Sequence, residues 1–159
     1  MLGVIGLAAC RVQEVPRTGR VDPAEVAREE IGATRNAYRQ ALLDGNADAV
    51  AEVFTRDATL AEPDAPDVVG STAIEAALRR LFAHAVVTDL LMEPDRLDIG
   101  ASGVAWEFGR FEETMQPAQQ PPATLSGRYA IRWVRGSNGD WRIDQMLNNR
   151  YPADTSATR

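Results

Sequence analysis

A single histidine, His84, and a single cysteine, Cys10, bound the chemistry open to this chain. Two imidazoles, or a Cys–His pair deep in the fold, are excluded by count, as are an intrachain disulfide and a zinc-ligand cluster. Glu62, Asp64 and Asp67 form an acidic loop whose oxygens suit calcium. Their spacing matches no calcium loop, however, and Pro63 and Pro66 interrupt it, so a solvated loop is expected. No metal site and no cofactor is expected. His84 falls near the end of a helical pattern, where a cation meets the negative end of the dipole and the last carbonyls. Trp106, Trp133 and Trp141 are expected to fill the core and the wall of a pocket, giving an apolar ligand surface.

The elements that must position these residues fit one domain. A chain of 159 residues buries about 68–70% of its unfolded surface. With 45% hydrophobic and 25% charged residues it is ordinary globular material, and a net charge of −6 argues against a nucleic-acid partner. Asp22-Pro23-Ala24-Glu25 is a helix start, with an N-cap, a proline at the first helical position and a glutamate placed to close a capping box. Ala27, Ile31, Thr34, Tyr38, Ala41 and Leu42 make the packed stripe of that helix, and Gly45 ends it. Asn46 caps a short second helix carrying Val50, Val53 and Phe54. A strand is expected at Ala58–Ala61, then a loop from Glu62 to Gly70. Ser71 is read as the cap of a third helix, with Ile74, Ala77, Leu78, Leu81, Phe82 and Ala85 on its buried face.

Beyond this point the apolar period changes to two. Val86–Ile99 reads as one long strand bent near Pro94. Val104, Trp106 and Phe108 alternate with Ala105, Glu107 and Gly109, and the aromatic set is expected to face inward. Tyr129, Ile131 and Trp133 line one face of the next strand; Trp141, Ile143, Gln145 and Leu147 line one face of the last. Helices followed by a twisted antiparallel sheet make an α+β domain over residues 22–151, with 152–159 a tail.

Met1 to Cys10 reads MLGVIGLAAC, and Leu7-Ala8-Ala9-Cys10 resembles a bacterial lipobox, although the positive segment of a signal peptide is missing from what precedes it. A truncated signal at 1–10, a polar linker at 11–21 and a lipid anchor on Cys10 are therefore expected, which would place the domain at the cell envelope. Without such a signal the cytoplasm is expected. No other segment approaches the ~18 apolar residues of a membrane span.

From Tyr38 to Leu78 the order and spacing of these elements resemble the N-terminal half of the NTF2-like fold. That family includes ketosteroid isomerases, SnoaL-like polyketide cyclases and DUF4440 domains. The resemblance implies a conical α+β architecture, three helices packed on a strongly curved antiparallel sheet, with a pocket at the open end of the cone. Against ketosteroid isomerases, Tyr38, Ala41-Leu42 and Gly45-Asn46 match the tyrosine, Ala-Leu pair and turn of the first helix. Glu62 before Pro63 stands where the catalytic base precedes a proline, and Tyr129 stands at the strand position of the second oxyanion donor. The resemblance implies a carboxylate base at Glu62 and phenol donors at Tyr38 and Tyr129 that stabilise an enolate. Glu in place of Asp, and Tyr in place of a carboxylic acid, depart from the family pattern. Some dehydratases of this fold use a His–Asp pair, but no aspartate can be placed beside His84 from sequence.

Three functions stay open. The chain could bind a small apolar ligand in a pocket walled by Phe54, Trp106, Phe108 and Trp133. It could be an isomerase, cyclase or dehydratase acting on an apolar carbonyl compound. Or it could be a homodimerisation module using the outer sheet face, expected to carry Ala105, Phe111, Ala130, Val134 and Met146 among Arg128, Arg132 and Arg142.

Overall fold

The computed structural model describes residues 22–152. Cys10, the 1–10 signal, the 11–21 linker and nearly all of the tail lie outside that range. Helix α1 spans Pro23–Leu43, and the Asp22 side chain accepts the Ala24 N–H at 2.9 Å. No reciprocal bond from Glu25 accompanies it among the described residues. The helix stops where Gly45 takes φ 63°, with Gly45 N–H donating to Leu42 O and Asn46 N–H to Ala41 O. Asn46 then caps α2 (Ala47–Glu52) through Ala49 N–H. Helix α3 is Ser71–Phe82; its cap is Gly70, not Ser71, and no side chain caps it. His84 lies just past that helix, exposed, with its carbonyl accepting from Ala118 N–H.

Six strands form one sheet: β1 Phe54–Ala61, β2 Val68–Val69, β3 Ala85–Ile99, β4 Val104–Pro117, β5 Ala123–Arg135 and β6 Trp141–Arg150. Their order is β2-β1-β6-β5-β4-β3. The long second-half strands are as expected, and the pairing of β3 with β4 shifts register between Pro94 and Arg96. β1 is longer than expected, and β2 occupies part of the segment expected to be loop. The sheet is also mixed: β1 runs parallel to β6, while the other neighbours are antiparallel. α1 packs across β3, with Arg39 Nε–H donating to Leu90 O, and α3 packs against β1.

Which side chains face the helices is decided by bulges and glycines, and here the sequence reading of β4 is reversed. Ala105 and Glu107 are buried and in phase with Gly109, whereas Trp106 and Phe108 are 36% and 37% exposed on the outer face. Their rings stack there, centroids 6.2 Å apart. Gly109 explains the phase. It pairs with Tyr129 on β5, and a Cβ at Gly109 would lie 2.5 Å from the Tyr129 hydroxyl and 2.4 Å from Glu93 O. Only a residue without a side chain lets the Tyr129 ring lie across β4. On β6 a register shift at Asp144 changes the phase: Trp141 and Ile143 face inward, and beyond the shift Met146 and Asn148 do. Gln145 and Leu147 are therefore exposed, contrary to expectation. The outer face correspondingly loses Ala105, Phe111 and Met146 and gains Trp106, Phe108 and Leu147, beside Ala130, Arg128 and Arg132.

Gly109→Ala is expected to force Tyr129 aside and cost about 1–3 kcal/mol, as overpacking does. Urea denaturation checks this, and an unchanged midpoint would contradict the close approach described.

Candidate active site in the cone

A cavity of about 260 Å³ opens between α1, α3 and the concave side of the sheet. Its walls are mainly aliphatic, with Leu42, Leu60, Leu78, Leu81 and Leu90 among them, and three methionines, Met92, Met115 and Met146, also line it. Into this apolar space project Tyr38, Glu62, Glu113, Tyr129, Asn148 and Arg150.

Each is placed by the local fold. Tyr38 lies on the buried stripe of α1, its ring edge-on to Phe54 at 6.0 Å. It is 8% exposed, and its hydroxyl has no hydrogen-bond partner among the described residues. Glu62 follows the end of β1 in phase with the buried Ala58 and Leu60. Because β1 runs parallel to β6, Glu62 sits beside Asn148, whose Nδ2–H donates to Glu62 Oε1 at 2.7 Å. The Asn148 Oδ1 is buried and unpartnered. Glu113 lies on β4 in phase with Gly109 and Phe111, between Leu90 of β3 and Leu125 of β5.

Burial dominates the electrostatics. It raises the Glu62 carboxyl above the ordinary range, while the Asn148 amide and nearby Arg150 pull it back. Burial also raises Glu113, and the Glu62 charge raises it further, opposed by Arg150. The Tyr38 phenol is pushed up by burial and then by both carboxylates, so it stays a neutral donor.

Tyr129 is placed differently. Its ring lines the cavity, but its hydroxyl donates to Glu107 Oε1 at 2.9 Å, behind the cavity wall. Glu107 is fully buried and also receives Arg35 Nη1–H from α1 at 2.6 Å. Burial raises this carboxyl too, countered first by the Arg35 charge and then by the Tyr129 hydroxyl. The Trp133 indole N–H is near enough to favour the ionised form, yet it makes no hydrogen bond of normal geometry.

Of the residues named from sequence, Tyr38, Glu62 and Tyr129 therefore line one cavity, with the Tyr129 proton already committed to Glu107. The four aromatic residues expected to wall the pocket do not line this cavity. Phe54 supports Tyr38 from behind, Trp133 is 0% exposed in the core, and Trp106 and Phe108 face outward. Glu107, Arg35, Glu113, Asn148 and Arg150 were not foreseen. Gly109 and Gly127 are the signal that could have found them. A Cβ at Gly127 would stand 1.9 Å from Asn149 O, and placing both glycines inward puts Glu107 and Glu113 on the concave face.

The family model of the SnoaL-like domain matches residues 26–146. The chain belongs to the SnoaL-like family. No curated protein matches it. Among solved structures, this SnoaL-like domain is similar to a ketosteroid isomerase-like protein from Erwinia carotovora atroseptica (18% identity, TM-score 0.70, covering 78% of this chain and 95% of that one). It is also similar to ActVI-ORFA from Streptomyces coelicolor (16% identity, TM-score 0.67, 79% and 97% covered). A protein from Catenulispora acidiphila in complex with S-DNPA is a third (15% identity, TM-score 0.65, 79% and 94% covered). At these identities the likeness is one of fold.

Replacing Arg35 with Met leaves Glu107 buried without its cation, a change expected to cost about 3–5 kcal/mol. Glu107 can then escape charge burial only by keeping its proton, which costs more as pH rises. The loss seen by urea denaturation should therefore be larger at pH 8 than at pH 6. A small, pH-independent loss would sink this account.

Proposed function

We propose that this SnoaL-like domain binds a small, mainly apolar carbonyl compound in the cone and moves a proton on the carbon next to that carbonyl. The observation that carries the reading is the convergence of Tyr38 and Glu62 on one apolar cavity, the first with a free hydroxyl and the second a carboxyl held by one amide. Glu62 is the base. A carboxyl raised by desolvation is a better proton acceptor than one in water, and Asn148 keeps it oriented. Tyr38 donates to the carbonyl oxygen as it gains enolate charge, in a site where low dielectric strengthens the bond. The isomerase-like and ligand-bearing names among the structural neighbours agree with this reading in fold only.

A second reading, binding without turnover, is favoured by one observation: the Tyr129 proton is spent on Glu107, which leaves Tyr38 as the one free phenol donor lining the cavity among the described residues. Deuterium incorporation next to the carbonyl of small aryl ketones, followed by NMR in heavy water, separates the two. For turnover, exchange exceeds the buffer rate, Glu62→Gln lowers it by about 10²-fold or more, and Tyr38→Phe lowers it by a comparable factor. Exchange at the buffer rate for the wild type, with ketone binding intact by tryptophan fluorescence, leaves the binding reading.

Location and assembly belong to the same proposal. We infer an envelope-held domain, tethered by acyl chains on Cys10, with the outer face around Trp106, Phe108 and Leu147 available to a second copy. Expression of the gene with its natural upstream sequence tests the tether. Cys10→Ser should move the protein from the membrane fraction to the soluble fraction, and unchanged partitioning would refute it.

A further inference from the structure

We propose that Glu113 is a second catalytic residue, the acid that protonates a departing hydroxyl, so that the reaction is loss of water from a neutral β-hydroxy carbonyl compound. This rests on the reading of Glu62 as base and extends it from a proton shift to a lyase.

The argument begins with what a single base can do. One carboxylate can remove a proton and return it to a neighbouring carbon, so an isomerase needs no second acid. A second carboxyl in the same mainly apolar cavity is costly, because burying each one disfavours its charge and their charges repel. The cone nonetheless holds two, Glu62 just past β1 and Glu113 from β4. Their surroundings differ in a way that divides the labour. Glu62 receives the Asn148 N–H, which favours its ionised form. Glu113 has no hydrogen-bond donor among the described residues, and its strand neighbours across β3 and β5 are Leu90 and Leu125. The charged and titratable groups facing it are Tyr38 from α1, Glu62 just past β1, Tyr129 from β5 and Arg150 from β6. Arg150 can balance one carboxylate; the other is most readily kept neutral by a proton. Environments that push two carboxyls apart in this way assign base and acid. Burial and the Glu62 charge, which both raise Glu113, agree with the geometry.

The cluster is not merely acidic, because Tyr38, nine-tenths buried, also presents an unpartnered hydroxyl to the cavity. With a β-hydroxy carbonyl compound in place, Glu62 takes the proton on the carbon beside the carbonyl. That C–H pair moves toward the carbonyl oxygen, where Tyr38 donates a hydrogen bond. The carbonyl reforms, a C=C bond is made, the C–O bond to the β-hydroxyl breaks, and Glu113 gives its proton to that oxygen, releasing water. Glu62 is left protonated and Glu113 ionised. One proton passing from Glu62 to Glu113 across the cavity restores the site, with no oxidant or reductant consumed. Because the site already carries both carboxyls, the substrate is expected to bear no carboxylate of its own.

Two measurements test this. In the full chain, ¹³C-labelled glutamate followed by NMR gives the titration of each carboxyl. Glu113 is expected to titrate above the ordinary carboxylate range and to move down in Glu62→Gln, where the repelling charge is gone. A normal midpoint unaffected by Glu62→Gln overturns the proposal. The second measurement uses the aldol adduct of benzaldehyde and acetone, whose dehydration gives an absorbing enone, alongside exchange of its α-proton. Glu113→Gln should lower elimination by about 10²-fold, the scale of positioned proton transfer, and by far more than it lowers exchange. Glu62→Gln should lower both together. Exchange without any effect of Glu113→Gln on elimination refutes the acid role and leaves the base reading standing; no exchange in the wild type refutes both.

Discussion

The structure depends on a charge held where charge is least welcome. Glu107 sits on the concave side of the central sheet, fully buried, between Arg35 of α1 and Tyr129 of β5. A desolvated carboxylate of this kind is tolerated only with a cation and hydrogen bonds in good geometry. Both partners come from other elements, so the ion pair fixes how far along the sheet α1 lies and how the Tyr129 ring crosses β4. Tyr38 is one helical turn beyond Arg35 on the same helix, and its position over the cavity follows from that anchor. The site and the core thus share one set of constraints.

The helices were legible in the sequence because their signals are local. Asp22 with Pro23, the Gly45-Asn46 stop and the apolar stripe through Ile31 and Tyr38 need no knowledge of what packs on them. The succession of helices and then long strands, and the α+β cone, were legible as well, whereas β2 and the parallel pairing of β1 with β6 were not. The facing of β4 and β6 was not, because alternation gives a period and leaves the phase open. On β4 the more apolar set, Trp106 and Phe108, went outside because Gly109 and Gly127 leave room inside for Tyr129 and Phe111, and because Glu107 had Arg35 waiting 72 residues away. On β6 a single extra residue at Asp144 moved Asn148 into the site. Neither event leaves a local mark beyond the glycines.

The same reversal explains what was legible of the site. Tyr38, Glu62 and Tyr129 carried a family resemblance and do line one cavity. The walls expected from Phe54, Trp106, Phe108 and Trp133 are instead mainly aliphatic, since those four side chains fill the core or lie outside; the rings that do line the cavity belong to Tyr38, Phe111 and Tyr129. Glu113, invisible until the phase of β4 is known, is the residue that changes the chemistry under consideration.

The three methionines of the cavity, Met92, Met115 and Met146, are every methionine in the chain apart from Met1. Unbranched thioethers repack at little cost. The cavity therefore combines a fixed polar group, Glu62 held by Asn148, with a lining of thioethers that can shift to fit what enters. On the proposed reading, such a lining would sort ligands by functional group more than by silhouette.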